Sequence, residues 1–377
     1  MDIFTSYHNI ISPLGFTSEE NYSALLNDEI GVKSHQLGKL SEVFCLSVID
    51  AQRISSASEK IKNAALYTKL EKLSILSIQD VLGRSGITLS DPKTLLIYST
   101  TKGNIDLLDP TVKHSFPKER TYLAVMADTI GNYFDAVNKP LVLSNACISG
   151  LLAIITAQRL IKAGHYDNII VCGGDLVTEF TTSGFKSFNA LSPEPCKPFD
   201  AKRVGINLGE AVATILISKT NKTPSPMKIV SGASANDANH ISGPSRTGDG
   251  LFRAISQTLE GNKLKIDTIS AHGTATPYND EMESIAFERA GLTGSPVNSL
   301  KGYYGHTLGA AGVLETVIAI TGAYDNKLIK SAGYSEKGVS GNIQIISKTE
   351  TRNIETVLKT ASGFGGCNAA ALFVKWN

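Results

Sequence analysis

Residues 140–157 read PLVLSNACISGLLAIITA: a short apolar run, a polar break ending in Cys147, and a second apolar stretch too long for one strand. The first run is bounded by turn residues, as a buried strand is. The second continues to Ala163 and stops before Gly164, a residue suited to the C′ position, so a helix is expected over 148–163. That helix is apolar on most faces and must be buried between layers. Cys147 therefore stands where a strand hands over to a helix. At a helix N-terminus, free N–H groups and the macrodipole favour a thiolate and lower the thiol pKa. A buried cysteine packing as a small hydrophobe fits the same segment.

The pattern repeats outward from this point. KTLLIYST (93–100), DNIIVCGGD (167–175) and EAVATILIS (210–218) look like further buried strands with helical stretches between them. Alternating strands and helices predict an α/β layered fold. KTNKTPSP (219–226) is polar and proline-punctuated, and it divides the chain into 1–220 and 221–377. The alternation then resumes with MKIVSGA, IDTISAHG, PVNSLKG, NIQIIS and finally NAAALFVKW. Residues 296–320, PVNSLKGYYGHTLGAAGVLETVIAI, echo 140–157 as strand, polar loop and small-residue helix. Two related halves would give this echo, and so would ordinary α/β grammar.

Bulk properties exclude several classes. The 377 residues are 42% hydrophobic and 19% charged, an ordinary globular composition. Thirty-six basic against thirty-five acidic residues offer no electrostatic case for nucleic acid. No run approaches the roughly 20 apolar residues of a membrane span. The opening MDIFTSYHNIISPLG carries an acid and no apolar h-region, so no signal peptide is expected. Cys45, Cys147, Cys172, Cys196 and Cys367 are odd in number and scattered without a CxxC. Neither a disulfide framework nor a metal site is expected, and the cytoplasm is the default compartment. Cys172 lies mid-strand and reads as core.

Three loops carry candidate chemistry. His272 lies in SAHGTATPYND after an apolar strand, and His306 lies in KGYYGHTLGAAG before a small-residue helix. Strand-end loops of α/β sheets bind ligands, although single histidines are commonly structural. His8, His35, His114 and His165 have polar surroundings and read as surface. ASGFGGCNAA (361–370) puts three glycines around Phe364, either exposing amides to an oxyanion or making a tight turn. Neither GxGxxG nor GxxxxGK[ST] occurs in usable form, so a nucleotide fold is poorly supported.

SNACISG, CKPFDAKRVGINLGEA, AHGTATPYNDEMES, SLKGYYGHTLGAAG and GFGGCNAAALF follow one another over roughly residues 140–375, with ISPLG at 11–15. In that order they resemble the β-ketoacyl-acyl-carrier-protein synthases, elongating condensing enzymes. The resemblance implies a thiolase-like five-layered α-β-α-β-α fold made of two pseudo-duplicated halves. The first half would hold the nucleophilic cysteine and the second the two histidines. It implies a decarboxylative Claisen condensation of malonyl-carrier protein with an acyl group on Cys147. The oxyanion hole would be the amides of Cys147 and Phe364. His272 and His306, donating from Nε2 as neutral rings, would stabilise the enolate. Lys301 and Glu315 would link to each other and support the site, where Lys301 alone reads as a solvated loop residue. Thr274 and Thr276 would bind the pantetheine arm. Phe185, Phe364 and Gly365 would contact substrate, and Asp280 and Glu283 would order the loop after His272. The same two acids also suit a helix N-terminus.

No resident cofactor is implied, since substrates arrive on the phosphopantetheine of acyl carrier protein. A homodimer is expected, with a heterodimer with a ketosynthase-like subunit as the other arrangement. Ser362 stands where an aromatic is common and Cys367 where threonine is usual, leaving acyl-chain selection open. The product would belong to fatty-acid synthesis or to a specialised polyene or polyketide, such as an aryl-polyene-like pigment. The alternative reading is a non-elongating, chain-length-determining partner of an active ketosynthase.

Overall fold

The structure, a computed structural model, describes residues 1–37 and 42–376. Eleven of the described strands join one sheet. In chain order they are β1 (Phe4–Ile11), β2 (Thr94–Ser99), β3 (Leu141–Leu143), β4 (Asn168–Asp175), β5 (Ala211–Ser218) and β6 (Met227–Asn236). β7 (Thr268–Ser270), β8 (Pro296–Asn298), β9 (Gln344–Ile345), β10 (Thr356–Gly363) and β11 (Cys367–Lys375) complete it. Their spatial order is β9-β8-β7-β10-β11-β6-β1-β5-β4-β2-β3.

This order holds the same pattern twice. From one edge inward, β3, β2 and β4 are parallel, and β5 and β1 then each run antiparallel to the preceding strand. β8, β7 and β10 are likewise parallel, followed by antiparallel β11 and β6. The two sets meet where Phe4 pairs with Lys228. The echo between 140–157 and 296–320 is therefore topological, since each segment occupies the same place in its set. The polar stretch 219–226 connects β5 to β6.

Helices α1 (Lys69–Ser85) and α2 (Leu123–Tyr133) cover the outer face of the first set. α5 (Asp249–Leu259) and α6 (Pro277–Arg289) cover the outer face of the second. Between the sets lie α3 (Ser149–Lys162) and α7 (Ala311–Tyr324), sharing one core with the inner faces of both. The layers thus run α-β-α-β-α. α4 (Glu179–Ser187) contributes Phe185 to the cavity described below. No helix among the described residues is long and apolar enough to cross a membrane.

α3 and α7 touch through bare backbone. A Cβ on Gly150 would lie 2.8 Å from Val313 N and 2.9 Å from Gly309 O. A Cβ on Gly312 would overlap the Leu151 amide nitrogen. Only glycine permits this approach, and it sets the distance between the loops that precede the two helices.

Three expectations are corrected. Residues 361–370 are not one long loop, because β10 and β11 run almost to the tip and leave only 364–366 as the hairpin turn. Neither β1 nor β10 was anticipated, their polar and apolar residues giving no clear run. His8 and His35 are half-buried rather than surface; burial, with the Arg84 charge beside it, pushes His8 down to about 4.

Gly312→Ala should lower stability by more than about 2 kcal/mol through overpacking. Gly83→Ala, in the interior of α1 with nothing within 4 Å of the added methyl, should raise it by about 0.5–1 kcal/mol. Urea unfolding midpoints of the two variants check the pair; similar midpoints would contradict the contact.

Candidate active site

Cys147 sits on a tight corner between β3 and α3. Ala146 before it adopts φ +45°, an uncommon conformation for a residue with a side chain, and holding it costs on the order of 1–3 kcal/mol. Ser149 braces the corner by accepting from Asn145 N at 2.8 Å and donating to Ala146 O at 2.6 Å. α3 begins at Ser149, so the thiol faces a helix N-terminus as expected. The expected lowering of its pKa is nevertheless overturned. Enclosure dominates and pushes the thiol up to about 11, while the Lys301 charge, the Phe364 N–H and Lys102 pull the other way. The Phe364 amide thus faces the sulfur, from the turn between β10 and β11.

His306 is positioned by backbone. Its N–H donates to Asn207 O at 2.7 Å, and its carbonyl accepts from Gly209 N at 3.0 Å. Gly305, at φ +65°, leaves no room for a side chain against Leu208 O, so the GINLGEA stretch lies directly on the histidine loop. Beyond His306, Gly309 N donates to buried Asp175 at 2.7 Å. Asp175 also accepts from the amides of Thr101 and Lys102 and from both threonine hydroxyls of residues 100–101. It ties the loops of the two halves together.

His272 follows β7. Glu283 accepts from His272 N at 2.8 Å and Gly273 N at 2.6 Å, and burial raises its pKa to about 7. Asp280 accepts from Thr274 N, Ala275 N and Phe199 N. Asp280 in the first turn of α6 and Glu283 one turn further on both reach back to the loop, so they hold its amides rather than merely capping the helix.

The ring nitrogens of the two histidines and the Cys147 sulfur converge, one atom from each lying within 4.8 Å of the others. The His272 and His306 rings sit edge-on, 5.1 Å between centroids. Leu308 N–H donates to His306 Nδ1 at 3.3 Å, which places the ring proton on Nε2. The Lys301 ammonium approaches His272 Nδ1 to 3.4 Å and imposes the same tautomer there. Burial first, and the Lys301 charge next, hold both imidazoles well below their ordinary pKa. Both rings are therefore neutral Nε2–H donors at neutral pH. His306 Nε2 is buried with no partner among the described residues. With both Nδ1 atoms facing donors, the trio is poorly suited to binding a metal ion.

Lys301 is buried, not a solvated loop lysine. Its ammonium donates to His272 O at 2.8 Å and Glu315 Oε1 at 2.5 Å. Glu315 also binds Lys359, from β10, through Oε2 at 2.8 Å. Removing one member of such a buried network costs roughly 3–5 kcal/mol.

The thiol and both histidines line a cavity of about 530 Å³. Thr274, Thr276, Phe185 and Phe364 also line it, with the two threonine hydroxyls 2.8 Å apart. Phe364 stacks on Phe185 at 5.4 Å and meets Phe188 edge-on at 5.5 Å. Gly365, expected to contact substrate, does not line the cavity. At φ +85° it makes the hairpin turn and donates to Ile241 O. Sequence reasoning missed Phe188, His240, Asp175 and Lys359. Phe188 closes FKSF (185–188), three residues beyond Phe185, and a lysine in the apolar run TVLKTASG is the visible sign of Lys359.

Profiles of the family support the grouping. Beta-ketoacyl synthase, N-terminal domain, matches residues 65–223, and Beta-ketoacyl synthase, C-terminal domain, matches 227–335. The chain belongs to the β-ketoacyl synthase family. A putative mitochondrial 3-oxoacyl-[acyl-carrier-protein] synthase of Schizosaccharomyces pombe is 31% identical over 258 residues, 62% of this chain and 61% of that protein. A putative polyketide beta-ketoacyl synthase 1 of Streptomyces halstedii is 27% identical over 268 residues, 66% of this chain and 64% of that one. The chain thus matches about three fifths of the length of these curated relatives. In fold it resembles the ishigamide ketosynthase/chain length factor, with TM-score 0.88, 20% identity and coverage of 100% and 99%. A beta-ketoacyl synthase from Burkholderia phymatum gives TM-score 0.87 at 22% identity, covering all of both chains.

A thiol held near pH 11 predicts that iodoacetamide alkylation of Cys147 rises with pH, about tenfold per unit from 7 to 10. Peptide mass spectrometry measures it, and a plateau below pH 8 would contradict the assignment.

Proposed function

We propose that this chain is a β-ketoacyl-acyl-carrier-protein synthase. The observation that carries the reading is one enclosed thiol beside two neutral Nε2–H donors in a shared cavity. Cys147 first takes an acyl group from a carrier thioester. The new bond is Cys147 Sγ to acyl carbon, the carrier thiolate departs, and the thiol proton passes to it. The Cys147 and Phe364 amides hold the transient oxyanion. A malonyl thioester then enters. Its carbon–carbon bond to the carboxylate breaks, carbon dioxide leaves, and the electron pair becomes an enolate whose oxygen accepts from His272 and His306. The enolate carbon attacks the acyl carbonyl, the Cys147 thiolate is expelled and takes a proton from water, and the β-ketoacyl product stays on the carrier.

Substrates are carried on the phosphopantetheine of acyl carrier protein, along the wall with Thr274 and Thr276. Strand β3, which ends the sheet with Leu141 at the surface, is the edge that a second subunit would extend. That subunit is a second copy or a ketosynthase-like partner. Five cysteines with no disulfide among them suit a reduced, cytoplasmic setting. The division of labour between 1–220 and 221–377 is part of the same proposal. The reading as a non-elongating partner subunit is disfavoured by the intact thiol and histidines.

With acyl-carrier protein supplied, intact-protein mass spectrometry should record one acyl group on wild type and none on Cys147→Ala. His272→Ala and His306→Ala should still load but lose at least about a hundredfold in condensation. No adduct on folded wild type would sink the proposal. Malonyl decarboxylation by the purified chain alone would eliminate the non-catalytic alternative.

A further inference from the structure

Lys359 is a fully buried lysine on β10, outside the cavity lining, and the mechanism above does not use it. Its ammonium donates to Thr360 O at 2.7 Å, Ser270 O at 3.1 Å and Ala271 O at 3.3 Å, and binds Glu315 Oε2 at 2.8 Å. Ser270 and Ala271 immediately precede His272. A buried ammonium is expensive unless paired, and a single carboxylate, Glu315, is shared here by two of them.

The groups facing the histidine pair are Lys301, Lys359, Glu315, Glu283, Asp280 and the Cys147 thiol. Glu315 compensates one of the two lysines. Glu283 and Asp280 spend their oxygens on the loop amides of residues 272–275. Lys301 alone would balance the Glu315 charge and orient His272, so the second ammonium adds net positive charge, and that charge acts on both rings.

We propose that Lys359 is a positioning residue for the decarboxylation step: it secures the strand end that carries His272 and supplies the second positive charge that keeps both imidazoles neutral while an enolate forms before them. The negative charge moves in that step from the departing carboxylate to the thioester oxygen, with no proton transferred. A fixed cation nearby in a dry site favours the enolate and disfavours an imidazolium that would compete with it. Burial and the Lys301 charge, with Lys359 adding to them, already depress both rings.

This inference rests on the proposed function only for its kinetic part. Lys359→Gln and Lys359→Arg proteins are compared with wild type by histidine ¹³C NMR and by malonyl-carrier decarboxylation from pH 5 to 9. In wild type neither His272 nor His306 should titrate near 6.5, whatever the activity. In Lys359→Gln both midpoints should move up, decarboxylation should fall about tenfold or more, and its profile should gain a low-pH limb. KM should change little, and Lys359→Arg should restore the flat profile. Unmoved midpoints in a folded Gln variant overturn the inference, as does a wild-type histidine of the pair titrating near 6.5 should the variants not fold. Inactive wild type with the expected NMR shifts would instead overturn the proposed function alone.

Discussion

The contact on which the rest depends is the one between α3 and α7, where Gly150 and Gly312 let two backbones meet without side chains between them. Cys147 precedes one helix by two residues, and His306 precedes the other by five. Bringing the helices together in the middle layer therefore brings a thiol from one half of the sheet pattern to a histidine from the other. A wider spacing, as ordinary side chains at the crossing would impose, would separate those groups by more than a hydrogen bond can span.

Around that contact, buried charge rather than apolar packing orients the chemistry. Asp175 collects amides and hydroxyls from the 100–102 loop and reaches Gly309 across the halves. Glu315 is held between two lysines, and Lys301 fixes the tautomer of His272. The carboxylates at the centre of these networks are buried, where each unmade interaction is costly, so they hold a single geometry. The same enclosure has opposite effects on the reacting groups. It keeps the imidazoles neutral, which suits hydrogen-bond donation, and it keeps Cys147 a thiol against the pull of the helix terminus.

Much of the site was legible because its residues lie in loops with a distinctive local composition. HGT and GHT stand beside glycines at strand ends, and GFGG surrounds one aromatic. Lys301 and Glu315 are paired by the family resemblance, and a carboxylate amid GAAGVLETVIAI needs a cationic partner in any case. Lys359 carried a comparable misfit inside TVLKTASG, yet the strand β10 that contains it was not recognised, so its partner could not be inferred. Phe188 and His240 escaped because lining a cavity depends on where three separate loops meet. Gly365 was misassigned since a glycine beside a functional amide can equally be the turn that presents it.

The sequence by itself determined the alternation of strands and helices, the burial of the 148–163 helix, and the family to which the motifs point. Those features depend on local periodicity and on side-chain types at short spacing, which survive in one dimension. Tertiary structure alone decided that Cys147 is a high-pKa thiol, which groups face each Nδ1 of the two histidines, and that two lysines share one glutamate. Protonation and tautomer depend on how deeply a group is enclosed and on which charges face it. Both are set by contacts between residues far apart in the chain.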